Sequence, residues 1–444
     1  MSDFLNLPFI KTLSVQDNGD HYVVNVDGGA IPTACPSCAS TSLYKHGTTK
    51  QSFMDTPMHG KRVIIHLERK RYRCKVCGKT LLEPLDAMDG KRMSTERLTQ
   101  YIEKHSLKKT FADISREVGV DEKTVRHVFD DYVERLKKTV HFETPQIMGI
   151  DELKIIGSYR CMITNIGKLS IYDMLQTRKK VDVIEYFKRM PDKHKVEIIS
   201  MDMWRPYLDA AHNQFPGILV IADRFHVVRM ANNAMESVRK QVRKSLDRKD
   251  RIKLKDDRFI LLARKHNLTD KQLETLERWM EQFPVLGEAY KAKESFFDIY
   301  EQPDKASAQQ AFIDWSKYMH PVIEPTFHEM IISINNWWNE VFNYYDFPIT
   351  NGYTESANNL AKGMNRMGRG YSFDVIRARL IYDSNSRDVT KTTIRGRGGK
   401  RNEPVSGVGY SIDKTGATET EDTVIEYGPH IPTLVKLLED GYFS

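Results

Sequence analysis

Three observations predict a multidomain α/β protein. Residues 196–229 hold two short apolar runs, Val196–Met201 and Ile218–Ala222, each followed by a carboxylate, Asp202 and Asp223. Ahead of them stand two Cys-x-x-Cys pairs and a helix–glycine–helix pattern, and behind them a long helical pattern from about 231 to 345. Continuous Val/Ile-rich runs read as parallel strands buried on both faces. In such sheets ligands gather at the carboxyl ends of the strands, where both aspartates fall. A strand-end aspartate is also a common helix cap, so each needs partners before it counts as chemistry.

Composition narrows the class. With 444 residues, 40% hydrophobic and 29% charged, the chain has the make-up of several globular domains. The net charge of +7 favours a polyanionic partner only mildly. Clustering says more: Lys61–Lys79 carries eight Lys/Arg against Glu68, and Arg239–Lys255 nine against Asp247 and Asp250. Such blocks are ordinarily solvated faces, but two of them in one chain raise nucleic acid above that reading. No apolar run approaches the roughly 20 residues that span a bilayer, and MSDFLNLPFI lacks a signal-type core. No membrane partner and a cytoplasmic location are therefore expected. Five cysteines in that compartment point to metal or burial rather than to disulfides.

The amino-terminal third supplies the metal. Cys35-Pro-Ser-Cys38 and Cys74-Lys-Val-Cys77 each offer two thiolates from one tight turn, and together they make a four-sulfur set for structural Zn²⁺. Phe53–Met58 and Arg62–Tyr72 read as a hairpin that brings the two turns together. Cys161, inside an apolar run, is expected to be simply buried.

Leu107–Val133 comes next. Phe111–Val118 reads as a short helix, Gly119 as its left-handed stop, and Asp121 as the cap of a second helix with Val125, Val128, Phe129, Tyr132, Val133 and Leu136 at helical spacing. This is the helix-turn-helix layout, and it leaves Lys123, Thr124, Arg126 and His127 to face a major groove. A two-helix hairpin in any bundle shows the same pattern; the basic zinc module beside it favours DNA.

Beyond Pro145 the order is β-β-β-α-β-α-β. Gln146–Asp151, Tyr159–Ile166 and Leu169–Leu175 are strands. Lys179–Met190 is a helix whose Val183, Ile184, Phe187 and Arg189 cover the sheet. Val196–Met201, the helix Trp204–Gln214 and Ile218–Ala222 follow. That is the ribonuclease-H-like order, in which the first and fourth strands lie side by side, so that Asp151 and Asp202 face each other. Two adjacent carboxylates repel unless a cation intervenes, and hard divalent ions such as Mg²⁺ suit oxygen ligands. The helical stretch 231–345 reads as an insertion. After it, Thr350-Asn-Gly-Tyr-Thr-Glu355 starts a helix with Glu355 in its first turn; taken alone, Glu355 does no more than complement the helix dipole. Trp204 has two readings, stacking on a base or simple packing, and packing is the expectation.

The blocks GIDE at 149–152, SMDMWRPY at 200–207, ADRFHVV at 222–228 and TNGYTESANN at 350–359 resemble the signatures of bacterial insertion-sequence DDE transposases of the ISL-three family, in order and spacing. The resemblance covers roughly residues 30–390, with the cysteine pairs and the helix-turn-helix similar to that family's zinc and DNA-binding modules. Asp223 also ends a strand and is the rival acid, either a neighbour of the metal or an acid that orients a ligand, and His226 and Arg229 on the helix after it are placed to contact DNA or the acids. The resemblance implies a catalytic triad of Asp151, Asp202 and Glu355 holding Mg²⁺ or Mn²⁺. It also implies binding of double-stranded DNA at terminal inverted repeats, strand cleavage and transfer into target DNA, and a homodimer or higher oligomer on DNA, within the nucleoid. The implied segments are 1–85 zinc module, 86–143 helix-turn-helix, 144–230 first part of the core, 231–345 helical insertion, 346–390 second part of the core, and 391–444 a basic Gly-rich segment and tail. Two other readings use the same residues: a metal-dependent nuclease that cuts without joining, and a DNA-binding regulator without catalysis.

Overall fold

Two antiparallel hairpins start the chain and set the frame for everything amino-terminal. The computed structural model describes residues 3–385 apart from 369, so the basic segment and tail expected at 391–444 lie outside the described residues. Among the described residues the chain divides into two units, 3–142 with 364–385, and 143–363.

In the first unit, β1 (Ile10–Asp17), β2 (His21–Gly28), β3 (Leu43–Met58), β4 (Lys61–Cys74) and β5 (Thr80–Leu82) form one sheet, ordered β1-β2-β4-β3 with β5 on the edge of β4. Strands β3 and β4 are the expected hairpin, longer than the sequence suggested. They turn at His59-Gly60, both at positive φ, the two-residue geometry that matches strand twist. Their register pairs Leu43 with Cys74, which carries the two cysteine turns to the same end. Val24, Phe53, Val63, Ile65 and Leu67 form the sheet's apolar core.

Helix α1 (Glu96–Ser106), capped by Thr95, is tied to β3 by Asp55, a wholly buried carboxylate that accepts from Thr95 Oγ1 at 2.6 Å and from Arg97 Nε at 2.8 Å. Helix α2 (Phe111–Val118) ends at Gly119 in the left-handed conformation, and Asp121 caps α3 (Glu122–Thr139) by accepting from the Thr124 N–H. Both boundaries match the sequence reading.

The second unit holds the central sheet. Strands β6 (Ile147–Ile155), β7 (Ser158–Asn165), β8 (Ser170–Leu175), β9 (Ile198–Met201) and β10 (Leu219–Ala222) lie in the order β10-β9-β6-β7-β8. The first three are antiparallel; β9 and β10 run parallel to β6. Helix α4 (Lys180–Arg189) connects β8 to β9, and α5 (Arg205–Gln214) connects β9 to β10. Val183, Phe187 and Met190 are buried, whereas Arg189 is exposed, contrary to expectation. An arginine there meets solvent because Met190, one residue on, fills the apolar position.

Between β10 and the helix that carries Glu355 the described chain is helical. The elements are α6 (Arg224–Lys244), α7 (Arg248–Asp256), α8 (Arg258–Leu262), α9 (Asp270–Gln282), α10 (Pro284–Ile299), α11 (Lys305–Lys317), α12 (Glu324–Asn336) and α13 (Trp338–Phe342). Its aromatic content is packing: Trp315 meets Phe296 at 5.1 Å, Phe312 at 5.7 Å and Phe327 at 5.9 Å between ring centroids. Buried Arg239 grips Glu236 with two hydrogen bonds and donates a third to the Leu254 carbonyl, tying α6 to α7.

Helix α14 (Gly352–Met367) follows, then α15 (Phe373–Asn385). The segment expected to be one piece at 346–390 is split between the units. Tyr371 Oη accepts from the Phe111 N–H at 3.0 Å, and buried Arg379 donates to the Lys109 carbonyl at 2.7 Å, so α15 braces the start of α2.

Candidate functional site

The cysteine site is built by two copies of one turn. Cys35 N–H donates to the Ser40 carbonyl and Ala39 N–H to the Cys35 carbonyl; Cys74 to Lys79 and Gly78 to Cys74 repeat that pattern. Ala39 and Gly78 both take positive φ, which costs the alanine and not the glycine. Cys35 and Cys77 sulfurs lie 3.5 Å apart and those of Cys38 and Cys74 3.6 Å apart, with all four ligand atoms within 4.8 Å. Tetrahedral Zn–S bonds of about 2.3 Å separate sulfurs by nearly that distance, so the donors fit the ion. Hydrogen bonds from the backbone, first from the Cys77 N–H, bring the Cys74 thiol down to about 6, ready to bind as thiolate. Cys161 lies elsewhere, wholly buried, its thiol pushed up to about 12 by that burial.

The acidic site forms where four elements meet. Ile150 pairs with Met201 across β6 and β9, so Asp151, midway along β6, and Asp202, just past the end of β9, follow side by side. Asp223 ends β10 and caps α6, and His226 lies one turn into that helix. Asp202, Asp223 and His226 form a cluster with ligand atoms within 4.8 Å. His226 Nδ1 is 2.6 Å from an Asp202 oxygen and 3.4 Å from an Asp223 oxygen. Burial disfavours a charge on His226, but the side-chain contacts with both aspartates outweigh it and push the imidazole up to about 10. Asp151 is buried at 7% exposure; burial first, and then the neighbouring Asp202 carboxylate, push it up to about 8. Hard oxygen donors crowded against one another suit a divalent cation.

Glu355, in the first turn of α14, stands outside the three-residue cluster and is exposed. Its carboxyl is nonetheless raised, by desolvation and then by Asp223, with Asp202 contributing less. Asn358, one turn further and 2% exposed, donates to Asp151 Oδ2 at 2.6 Å and to the Glu152 carbonyl at 3.3 Å. Glu152 itself pairs with Arg178.

Several residues that hold this site went unnoticed in the sequence. Asn351 donates its backbone N–H to Asp223 Oδ1 at 3.2 Å and its side-chain amide to the Ile150 carbonyl at 3.0 Å, joining β10, β6 and the start of α14. Thr354 donates to Asn351 Oδ1 and meets Thr164 Oγ1 at 2.7 Å. Gly149 permits that approach: a Cβ there would come within 2.6 Å of Asn351 Oδ1 and nearer still to the hydroxyls of Thr164 and Thr354. The Asn-Gly pair before the helix was read only as a turn. Trp204 differs from expectation too. It is 39% exposed rather than packed away, because it caps α5 at the edge of the acidic cleft.

On α3, Lys123 and His127 are exposed. Thr124 is half-buried with its hydroxyl on the Asp121 carboxylate, and Arg126 lies over the Phe111 ring at 5.3 Å. Two of the four residues expected at a groove therefore also serve the local structure.

Comparison with known proteins covers most of the chain. Residues 31–77 match a family model described as the zinc-finger of transposase IS204/IS1001/IS1096/IS1165, and residues 83–133 one described as the helix-turn-helix domain of transposase family ISL3. Residues 148–380 match the transposase model of the same family. The transposase for insertion sequence element IS1001 from Bordetella parapertussis is 21% identical over 371 residues, covering 80% of this chain and 91% of the relative.

Proposed function

Because the chain belongs to the ISL3 family of insertion-sequence transposases, we propose that it binds the terminal inverted repeats of its element and cuts and joins DNA at Asp151, Asp202 and Glu355. The central sheet, with its order β10-β9-β6-β7-β8, is then a ribonuclease-H-like core, and α6–α13 the helical insertion ahead of the third acid. The zinc module, the helix-turn-helix and the two parts of the core follow the segments set out from the sequence, with α15 returned to the helix-turn-helix.

In this reading the three acids hold Mg²⁺, or Mn²⁺ in its place, which supplies charge neutralisation for in-line attack at phosphorus and for the departing 3′ oxygen. Asn358 and the Glu152 N–H each donate to one oxygen of Asp151, which fixes the plane of the carboxylate. Asn351 holds Asp223 and Ile150, which sets the distance between α14 and the strand ends. Asp223 and His226 act on Asp202 from behind, as partners that orient it. Water attacks the phosphodiester at the transposon end, the P–O3′ bond breaks, and a 3′-hydroxyl is freed. That hydroxyl then attacks a phosphodiester of target DNA in the same site and releases a target 3′-hydroxyl.

Lys123, Thr124, Arg126 and His127 present the recognition helix to the repeat, and structural Zn²⁺ on Cys35, Cys38, Cys74 and Cys77 holds the module in front of it. Two ends must be brought together, so the working form is at least a homodimer on double-stranded DNA, in the cytoplasm and on the nucleoid. One observation carries the reading: Asp151, midway along β6, stands beside Asp202, just past the end of the parallel strand β9, and the helix with Glu355 in its first turn reaches Asp151 through Asn358.

The test is strand cleavage and joining with Mg²⁺ on the element's own ends, wild type beside Asp202→Asn. The variant should lose both steps by more than the roughly 10–100-fold typical of a residue that only supports a ligand, while still binding the ends. Cutting without joining in the wild type would make it a nuclease; end binding without chemistry would make it a regulator.

A further inference from the structure

Beside the acids lies a cleft that Asp202 shares with side chains the triad chemistry does not use. Its volume is about 310 Å³, and it is lined by Asp202 and His226 on one hand and by Trp204, Arg229 and Asn233 on the other. That is the lower end of the range for small-molecule sites, enough for one nucleoside. His226, Arg229 and Asn233 fall three, then four residues apart on α6 and so present one face. Arg229 and Asn233 are exposed. Arg229 has no ion-pair partner among the described residues, which leaves its guanidinium available to a phosphate.

The exposed indole is deliberately braced. Arg178, which does not line the cleft, stacks over the Trp204 ring at 4.9 Å and over the Tyr159 ring at 4.0 Å. It is anchored in turn by Glu152, the residue after Asp151, whose N–H donates to Asp151 Oδ1 at 2.6 Å. Trp204 keeps 39% of its surface open at the mouth of the cleft even with Arg178 over its ring. Every nucleobase has a π-face, and stacking on an aromatic side chain is how proteins hold unpaired bases without reading them.

We propose that this cleft binds the nucleotide flanking the scissile phosphate in unpaired form, its base stacked on Trp204 and its phosphate met by Arg229 and Asn233. The inference rests on the transposase reading of the acids. Taking that nucleotide out of the duplex turns the backbone so that the scissile phosphate reaches Asp151 and Asp202. Trp204 is a positioning residue here, and Arg178 keeps its ring in place.

The experiment uses the full chain and end duplexes carrying 2-aminopurine on either side of the scissile phosphate, with Ca²⁺ for binding and Mg²⁺ for single-turnover cleavage. In Ca²⁺ the emission of one flanking 2-aminopurine should depart from its duplex value with wild type and with Trp204→Phe, and not with Trp204→Ala. In Mg²⁺, Trp204→Ala should cut the paired end about tenfold to a hundredfold more slowly, the effect expected for loss of one stacked base. A mismatch at the flanking nucleotide should restore it nearly to the wild-type rate, and Trp204→Phe should need no rescue. Wild-type rates in Trp204→Ala, or equal losses on paired and mismatched ends, overturn the proposal. A wild type that cuts neither substrate overturns the transposase reading instead.

Discussion

The chain holds two sites that gather four or five ligand groups, and they are built on opposite principles. At the cysteine site the donors arrive in pairs from two repeated turns, and one hairpin register brings the pairs together. The sulfurs already stand at the spacing the ion requires. At the acidic site the groups come from β6, the end of β9, the start of α6 and the first turn of α14, and burial holds like charges against one another. The first arrangement lets a metal hold a fold. The second makes the fold hold charges that resist one another, the arrangement the proposed reaction site would need if its metal is to leave positions open.

Removing the ion from each site tests this contrast. Structural zinc contributes on the order of 10 kcal/mol to folding in small modules. Chelation, or Cys74→Ser, should therefore cost zinc content and the heat-stable state of the amino-terminal sheet, read by metal analysis and calorimetry, while the transition of the central unit stays where it was. Loss of both transitions together would break the comparison.

Without divalent metal the acidic site should show the reverse behaviour, a fold relieved by losing a ligand. Asp151 has its folded value raised from 3.8 to about 8. A raised carboxyl stabilises the folded state fully below the unfolded value, and that stabilisation is lost as pH rises through the folded value. Metal-free protein should thus weaken between about pH 4 and 8, and Asp151→Asn should be more stable than wild type at pH 8.5, by up to a few kcal/mol. Thermal melts in a chelator across that range, with Mg²⁺ added back, read the difference; a less stable variant would show that no such tension exists.

Gly149→Ala sharpens the same point, since it disturbs the acidic site without touching a ligand. The added methyl group presses on Asn351, Thr164 and Thr354, and overpacking of this kind costs about 1–3 kcal/mol. Denaturant melts should show that loss, and cleavage should fall further than end binding because α14 is pushed from β6. The smallest effect belongs to recognition. Lys123→Ala should weaken binding to all sequences alike and reduce the salt dependence by about one counterion if Lys123 meets a phosphate; a sequence-selective loss would place it on a base.

The same contrast decides what the sequence could disclose. The cysteine turns and the capped helices were legible because their signals are local: two cysteines three residues apart, a glycine after Val118, an aspartate before Glu122. The alternation of apolar runs and helices also disclosed the strand order, and with it the meeting of Asp151 and Asp202. What stayed hidden depends on contacts across hundreds of residues. Asn351, Thr354 and Gly149 are unremarkable in any local window, and only the packing of α14 on β6 gives them roles. Likewise β1 and β2, short and largely polar on one face, carry no run strong enough to stand out, and Tyr371 and Arg379 reach α2 from 260 and 270 residues away.

The hydrogen bond between Asp223 and Asn351 spans 128 residues of chain. A ribosome adding about 5–20 residues per second needs roughly 6–26 seconds to cover that distance. During that interval the zinc turns, the first three helices and the strands that carry or precede Asp151, Asp202 and Asp223 have been made, while Glu355 and Asn358 have not. A growing chain therefore completes its helix-turn-helix well before the acids proposed for cutting are all made.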